Sequence, residues 1–198
     1  MSAGALVYVV DDDPDFGASL ARLLRRSGYR AEPFSAPASL LAAYPTAPSS
    51  CVITDVMMGD SSGFDFAEDL RRLDPNVGLI FMTGWPSTSA AVDAIRRFGG
   101  LDYLEKPLDE QRLLQAVAEA VRWSIDRRDR HGRLATLTPR EQQVFALLVR
   151  GYASKEIARE LAISPRTVED HRAQIAAKTG ARTLAAMIAL SQGRSVEP

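Results

Sequence analysis

Carboxylate, hydroxyl and amine side chains follow four separate apolar runs of this sequence. Asp11 and Asp12 come after the first run, Asp55 follows another, and Thr83 and Lys106 follow two more. Because the carboxyl ends of parallel strands meet at one edge of a sheet, we expect these side chains to share a crevice. Carboxylates in one crevice repel each other, and a bound divalent cation relieves that repulsion. Ligands that are all oxygen favour Mg²⁺ over zinc.

This group of side chains is suited to in-line phosphoryl transfer onto a carboxylate. Asp55 would be the nucleophile, while the metal, the Lys106 ammonium and the Thr83 hydroxyl surround the phosphoryl oxygens. Aspartate is also a common helix N-cap, and Asp13 fits that structural role. The full combination, with two acids after the first run, favours a chemical site instead.

Alternating apolar runs and helical patterns predict the elements that position these side chains. Five short segments are predicted to be strands, at residues 6–10, 31–34, 51–54, 79–82 and 102–104. Residues 31–34 make a poor strand, which we expect to be short and at an edge of the sheet. Helical patterns separate the five segments and follow the last one. The predicted fold class is therefore α/β, a doubly wound, five-stranded parallel sheet of the flavodoxin-like kind.

From Leu137 onward the sequence predicts only helices, as a small all-α domain. Thr138 and Glu141 fit a capping box, and the helix that starts at Ser164 ends at Gly180. The turn at residues 162–164 has helix-turn-helix spacing, and the helix after it is polar and partly basic. Capped three-helix units also occur in proteins that never touch DNA, so this pattern alone leaves DNA binding open.

Charge is divided unevenly along the chain. Residues 1–122 carry 17 acidic and 11 basic side chains, whereas residues 123–198 carry 8 acidic and 13 basic ones. We therefore predict an α/β domain at 1–122, a linker or helical extension at 123–133, and a helical domain at 134–198. The basic end suits a polyanionic partner.

Cysteine content and hydropathy bound the cellular setting. The single cysteine, Cys51, lies in an apolar run, which excludes an intramolecular disulfide and suits a reducing cytoplasm. No apolar run approaches the ~20 residues of a membrane span, so we expect a cytoplasmic protein without a membrane partner.

Residues 5–122 resemble the CheY-like receiver domains of two-component response regulators. The resemblance rests on VVDDD at 9–13, TDVMM at 54–58, MTG at 82–84 and DYLEKP at 102–107, in that order. It implies that Asp55 is the phosphoacceptor, and that Mg²⁺ is bound by Asp11, Asp12, Asp55 and the backbone carbonyl of Met57. It also implies that Thr83 is the hydroxyl switch, that Lys106 binds the phosphate, and that Tyr103 is the switch aromatic.

Two details of this resemblance matter for the structure. The family leads us to expect a cis bond between Lys106 and Pro107. Gly59 stands where the family usually has proline, and glycine lacks the fixed φ of proline, which loosens the loop after the phosphoacceptor. Tyr103 could alternatively be an ordinary half-buried strand aromatic.

Residues 134–192 resemble the LuxR-type DNA-binding domain, through LTPRE at 137–141, KEIA at 155–158 and TVEDHR at 167–172. A receiver joined to this domain is similar to the FixJ/NarL subfamily. The implied DNA-binding residues are Lys155, Arg166, Thr167, Glu169, Asp170, Arg172 and Lys178. Position 170 is usually apolar in the family, so the resemblance does not indicate which DNA sequence this chain binds. The last helix is either a dimer contact or simple core.

The resemblance implies a response regulator transcription factor and not an enzyme, apart from the loss of its own phosphoryl group. A sensor histidine kinase would phosphorylate Asp55, and the phosphorylated chain would dimerise on double-stranded DNA, at an inverted repeat. The alternative is a receiver that acts as a phosphate sink or docking module with weak or constitutive DNA binding. The acidic pair Glu169 and Asp170 keeps that alternative open.

Overall fold

The computed structural model describes residues 4–44, 48–59 and 61–192, and the chain divides into two units, Met1–Asp126 and Arg127–Pro198. The first unit alternates strands and helices. Its strands are β1 (Leu6–Val10), β2 (Arg30–Phe34), β3 (Cys51–Asp55), β4 (Met57–Met58), β5 (Ser61–Ser62), β6 (Gly78–Thr83) and β7 (Asp102–Glu105). Its helices are α1 (Pro14–Arg26), α2 (Pro37–Ala43), α3 (Gly63–Leu73), α4 (Thr88–Arg96) and the start of α5 (Glu110–Ala135).

Five of these strands form one parallel sheet in the order β2-β1-β3-β6-β7. The order reverses direction at β1 and β3, so the carboxyl ends of these two strands border the switch point where ligands bind in such sheets. The predicted fold class, a doubly wound five-stranded parallel sheet followed by an all-α unit, is confirmed.

Each face of the sheet carries its own hydrophobic core. Alternate residues of β1 divide between the faces: Val7 and Val9 pack with α1 and α5, while Tyr8 and Val10 pack with α2, α3 and α4. The central strands are buried on both faces, which is why they read as continuous apolar runs in the sequence. Cys51 is fully buried among them, and burial raises the pKa of its thiol.

Two local structures lie at the carboxyl edge of the sheet, the N-cap of α1 and the hairpin formed by β4 and β5. The Asp13 side chain accepts hydrogen bonds from the backbone N–H groups of Asp15 and Phe16, which confirms it as the N-cap of α1. The β4–β5 hairpin, in which Met57 pairs with Ser62, was not predicted, because strands of two residues have no periodicity to detect.

The predicted linker at residues 123–133 is helical throughout, as part of the 26-residue helix α5. The sequence left open whether this segment was a helix or a flexible tether. The predicted domain limits remain predictions, and their outer ends at residues 1 and 198 lie outside the described residues.

The second unit contains α6 (Pro139–Val149), α7 (Ser154–Glu160), α8 (Pro165–Thr179) and α9 (Leu184–Gln192). These helices surround a single core that includes Val144, Ile157, Val168 and Ile175. Gly180 ends α8 with a φ of 73°, in the left-handed region that favours glycine. In the part of the chain that the structure describes, no helix combines the length and apolar character needed to cross a membrane.

Candidate functional site

The sheet brings the predicted phosphorylation residues to its carboxyl edge. Asp11 follows β1, Asp55 ends β3 and Thr83 ends β6, while Lys106 follows β7. Carboxylate oxygens of Asp11, Asp12 and Asp55 lie within 4.8 Å of one another. Asp11 and Asp55 are buried and Asp12 is exposed, so the cluster opens to solvent on one side and could hold a metal ion.

Lys106 joins the two buried carboxylates. Its Nζ lies 2.7 Å from Oδ2 of Asp11 and 2.5 Å from Oδ2 of Asp55. Burial lowers the pKa of Lys106, but the hydrogen bonds to the two carboxylates raise it above its ordinary value overall. The ammonium also lies 4.3 Å from the centre of the Phe16 ring, a cation–π contact that the sequence did not indicate.

The remaining oxygens of both carboxylates accept backbone hydrogen bonds. Oδ1 of Asp55 accepts from the N–H of Met57 at 3.1 Å, and Oδ1 of Asp11 accepts from the N–H of Asp13 at 2.9 Å. Burial nevertheless raises the pKa of Asp11, outweighing the opposing effect of its hydrogen bond to Lys106. Both carboxylates are thus held in fixed orientations.

The loop after Asp55 closes tightly against the sheet. The N–H of Gly63 donates to the carbonyl of Val56 at 2.9 Å. A Cβ atom at position 63 would overlap the carbonyl oxygen of Asp55, so only glycine fits there. Gly59 has a φ of 55°, a left-handed conformation closed to proline. The glycine that replaces the usual proline at position 59 therefore suits the left-handed backbone of this loop.

Thr83 ends β6, and Tyr103 lies in the neighbouring strand β7, in register with Phe81. The Thr83 hydroxyl is buried and accepts from the N–H of Trp85 at 3.1 Å. The side chain of Tyr103 is half-buried, and its hydroxyl is buried without a hydrogen-bond partner among the described residues. The bond between Lys106 and Pro107 is cis, as expected.

The second unit presents a helix-turn-helix formed by α7 and α8. Residue 162, in the turn between them, has a φ of 52°, and Ser164 caps α8 by accepting from the N–H of Thr167. The Thr167 hydroxyl also bonds that of Ser164, at 2.8 Å, so this predicted DNA contact is engaged in the cap.

Three further predicted DNA-binding side chains have partners within their own unit. Arg172 donates to the hydroxyl of Ser154 at 2.9 Å, and that hydroxyl donates to Glu169 at 2.6 Å. Lys178 forms an ion pair with Glu141 at 2.7 Å. These contacts join α8 to α7 and α6.

The other predicted DNA-binding side chains face solvent. Lys155, Arg166 and Asp170 are all exposed. None of the three has a side-chain hydrogen bond or ion pair within residues 4–44, 48–59 and 61–192. Free cations and a free acceptor are therefore available on this surface, whereas Glu169, Arg172 and Lys178 are at least partly committed to the fold.

Comparison with known proteins covers both units. Residues 7–118 match the family described as the response regulator receiver domain, and residues 135–191 match the bacterial regulatory proteins of the luxR family.

Whole-length relatives share this arrangement. The chain is 36% identical to the transcriptional regulatory protein FixJ of Azorhizobium caulinodans, over 97% of this chain and 94% of that protein. It is 34% identical to nodulation protein W of Bradyrhizobium diazoefficiens, over 96% and 87%. Among solved structures, it resembles full-length FixJ from B. japonicum with a TM-score of 0.57 at 32% identity, covering 96% of this chain and 97% of that one.

Proposed function

Because the chain belongs to the response regulators that join a receiver domain to a LuxR-type DNA-binding domain, we propose that phosphorylation of Asp55 controls its binding to DNA. The chain is a response regulator transcription factor, and its family implies a histidine kinase partner. The observation that carries the proposal is the Lys106 ammonium, bonded to both Asp11 and Asp55 at the switch point of the sheet.

The geometry suits Asp55 as the nucleophile. Its Oδ1 is held by the Met57 N–H, and its Oδ2 is held by Lys106. A carboxylate oxygen attacks the phosphorus of a phosphohistidine, the phosphorus–nitrogen bond breaks, and the electron pair stays on the imidazole of the kinase. Lys106 then neutralises charge on a phosphoryl oxygen. Hydrolysis of the resulting acyl phosphate is the only turnover we expect.

The acidic cluster fits Mg²⁺. Asp11, Asp12 and Asp55 offer only oxygen atoms, which suit a hard cation, and we propose that the backbone carbonyl of Met57 completes the protein ligands. When bound, the ion supplies positive charge beside the phosphoryl oxygens. Asp11 and Asp55 are already oriented by backbone N–H groups, so they need little rearrangement to receive it.

Thr83 and Tyr103 are the proposed switch. The Thr83 hydroxyl accepts from Trp85 in this structure, and it can turn to donate to a phosphoryl oxygen. That movement frees space next to β7, into which the Tyr103 ring can rotate. The hydroxyl of Tyr103, buried without a partner among the described residues, favours such a rotation, because an unsatisfied buried hydroxyl costs about 1–3 kcal/mol.

The phosphorylated receiver then favours a DNA-bound dimer. Lys155 and Arg166 are exposed and available for phosphates, and a two-fold dimer matches an inverted repeat in double-stranded DNA. The physical content of the signal is a population shift between two states, biased by the charge added at Asp55. A regulator of this kind acts in the cytoplasm.

Intact-mass spectrometry with analytical ultracentrifugation tests the proposal. The full chain is incubated with Mg²⁺ and phosphoramidate, beside Asp55→Asn and the control Asp15→Asn. Asp15 is an exposed acid in the first turn of α1, and it lies outside the cluster. We expect one phosphoryl adduct and a shift to dimer for wild type and the control, and neither for Asp55→Asn.

Binding to genomic DNA fragments separates the main proposal from the alternative. Promoter occupancy that rises with phosphorylation supports a transcription switch. An adduct on Asp55 with DNA occupancy that never changes would instead support a phosphate sink or docking module. An adduct that persists in Asp55→Asn would contradict the assignment of the phosphoacceptor.

A further inference from the structure

Asp170 occupies the outermost line of the recognition helix α8. The buried line of α8 consists of Val168, Ile175 and Thr179. At about 100° per residue, Asp170 lies roughly 200° around the helix from Val168, so its side chain points almost directly away from the core. A helix that enters the major groove with its buried face toward the domain therefore turns Asp170 toward the base pairs.

Two later positions on this line carry small side chains, while the long side chains of Arg166 and Gln174 flank Asp170 one turn before and one turn after it. Ala173 and Ala177 lie one and two turns further along the same outer line, and both are exposed. Methyl groups allow the helix to approach the floor of the groove closely. A short carboxylate such as that of Asp170 needs this close approach to reach a base edge.

Asp170 is also free to accept a hydrogen bond. Its neighbour Glu169 already accepts from Ser154 at 2.6 Å and lies 3.4 Å from Arg172. Asp170 has no such side-chain partner within the described part of the chain. Of the two adjacent acids, therefore, only Asp170 presents an uncommitted carboxylate at the outer surface.

The chemistry of the groove restricts what this carboxylate can bind. A carboxylate only accepts hydrogen bonds, and it is repelled by phosphates. In the major groove only the cytosine N4 and adenine N6 amino groups donate, and adenine places its N7 acceptor next to the donor. An ionised acid is therefore best matched by cytosine.

We propose that Asp170 selects a cytosine in each half-site by accepting a hydrogen bond from its N4 amino group. This inference rests on the proposed function, because it assumes that α8 enters the major groove. It assigns to one side chain the base preference of the site, whereas Lys155 and Arg166 would strengthen binding to any sequence.

Selection from a random double-stranded DNA library tests this inference. The full chain, treated with Mg²⁺ and phosphoramidate, is compared with Asp170→Ala, Asp170→Asn and the control Glu160→Ala. Glu160 is an exposed acid of α7, so its removal changes the charge equally without altering the outer line of α8. We expect a cytosine in the wild-type and control motifs, with a preference of about tenfold that Asp170→Ala loses. Asp170→Asn should shift the base preference from cytosine toward adenine, the usual partner of asparagine.

A chemical substitution in the DNA gives a second readout. N4-methylcytosine at that position should weaken wild-type binding several-fold and leave Asp170→Ala binding unchanged. If the wild-type motif survives in Asp170→Ala, or if the affinity of that variant rises equally for every sequence, the inference about Asp170 would be overturned and the proposed function would stand. A wild-type chain that enriches no sequence would overturn the inference together with the proposed function.

Discussion

Lys178, near the end of α8, donates to both carboxylate oxygens of Glu141, at 2.9 and 2.7 Å. Glu141 also accepts from the N–H of Thr138, which closes the capping box of α6. One nearly buried carboxylate thus caps one helix and holds another. Helix α8 is fixed by this contact at its last turn and by the hydrogen bond between Arg172 and Ser154 at its middle.

This pair makes the stability of the DNA-binding unit sensitive to acid. The hydrogen bond from Lys178, with that from Thr138, lowers the pKa of Glu141 from 4.5 to about 2. Because the folded pKa is depressed, the stabilisation is complete above pH 4.5 and is lost as the pH falls toward 2. Urea denaturation at several pH values should show Glu141→Gln less stable than wild type at pH 7, with a difference that shrinks below pH 4.5.

Glu156 offers a matched control for that experiment. It caps α7 by accepting from the N–H of Ala153 at 2.7 Å, but no ammonium pairs with it in the residues that the structure describes. Glu156→Gln should therefore cost less stability than Glu141→Gln at neutral pH. Equal losses for both variants would contradict the importance of the ion pair.

Gly63 is required for the shape of the loop that follows Asp55. In Gly63→Ala the added methyl group meets the carbonyl oxygen of Asp55, so we expect a loss of about 1–3 kcal/mol in unfolding free energy and slower phosphorylation. Gly84→Ala is the control, because a Cβ there meets nothing within 4 Å. Thermal unfolding followed by circular dichroism compares the two, and similar midpoints would argue against the close packing at Gly63.

Gly59 should not tolerate the proline that its family usually carries. Proline fixes φ near −65°, whereas Gly59 has a φ of 55°. We expect Gly59→Pro to lose more than about 1 kcal/mol of stability, while Gly59→Asn, which accepts left-handed backbone, loses less. Urea midpoints measure both changes. A Gly59→Pro chain as stable as wild type would mean that the loop adopts another conformation.

The hydroxyl of Tyr103 contributes no net stability in this state. Since it is buried without a partner in the described structure, Tyr103→Phe should leave the unfolding free energy unchanged or raise it by up to about 1 kcal/mol. Tyr44→Phe should behave oppositely, because the Tyr44 hydroxyl donates to Asp74 at 2.8 Å. Chemical denaturation of both variants distinguishes them, and a destabilised Tyr103→Phe would reveal a partner for that hydroxyl.

The sheet could be predicted because its central strands are buried on both faces. Runs such as residues 79–82 lie between two helical layers, so every position is apolar and the run stands out from its surroundings. The strand ends then place Asp55 and Lys106 together by topology alone. The β4–β5 hairpin escaped prediction because its strands have two residues each.

Contacts that join distant parts of the chain could not be predicted. Nothing local to Lys178 indicates that it meets Glu141, 37 residues earlier, and the family resemblance placed it among the DNA-binding residues. Arg172 was likewise predicted to bind DNA, yet it donates to Ser154. The contact between Phe16 and Lys106 also depends on how α1 packs against the strand ends, which periodicity does not specify.

The hydrogen bond between Thr83 and Trp85 has an optical consequence. The Trp85 side chain is 76% exposed, and its backbone is bonded to the proposed switch hydroxyl. The other of the two tryptophans, Trp123, is half-buried, with the Arg71 guanidinium 5.3 Å from its ring centre. The movement proposed for Thr83 would break the bond to Trp85 and alter the surroundings of its indole. The protein therefore contains an intrinsic fluorophore beside the proposed phosphorylation site, and a chain with Trp123→Phe would report the state of that site by emission alone.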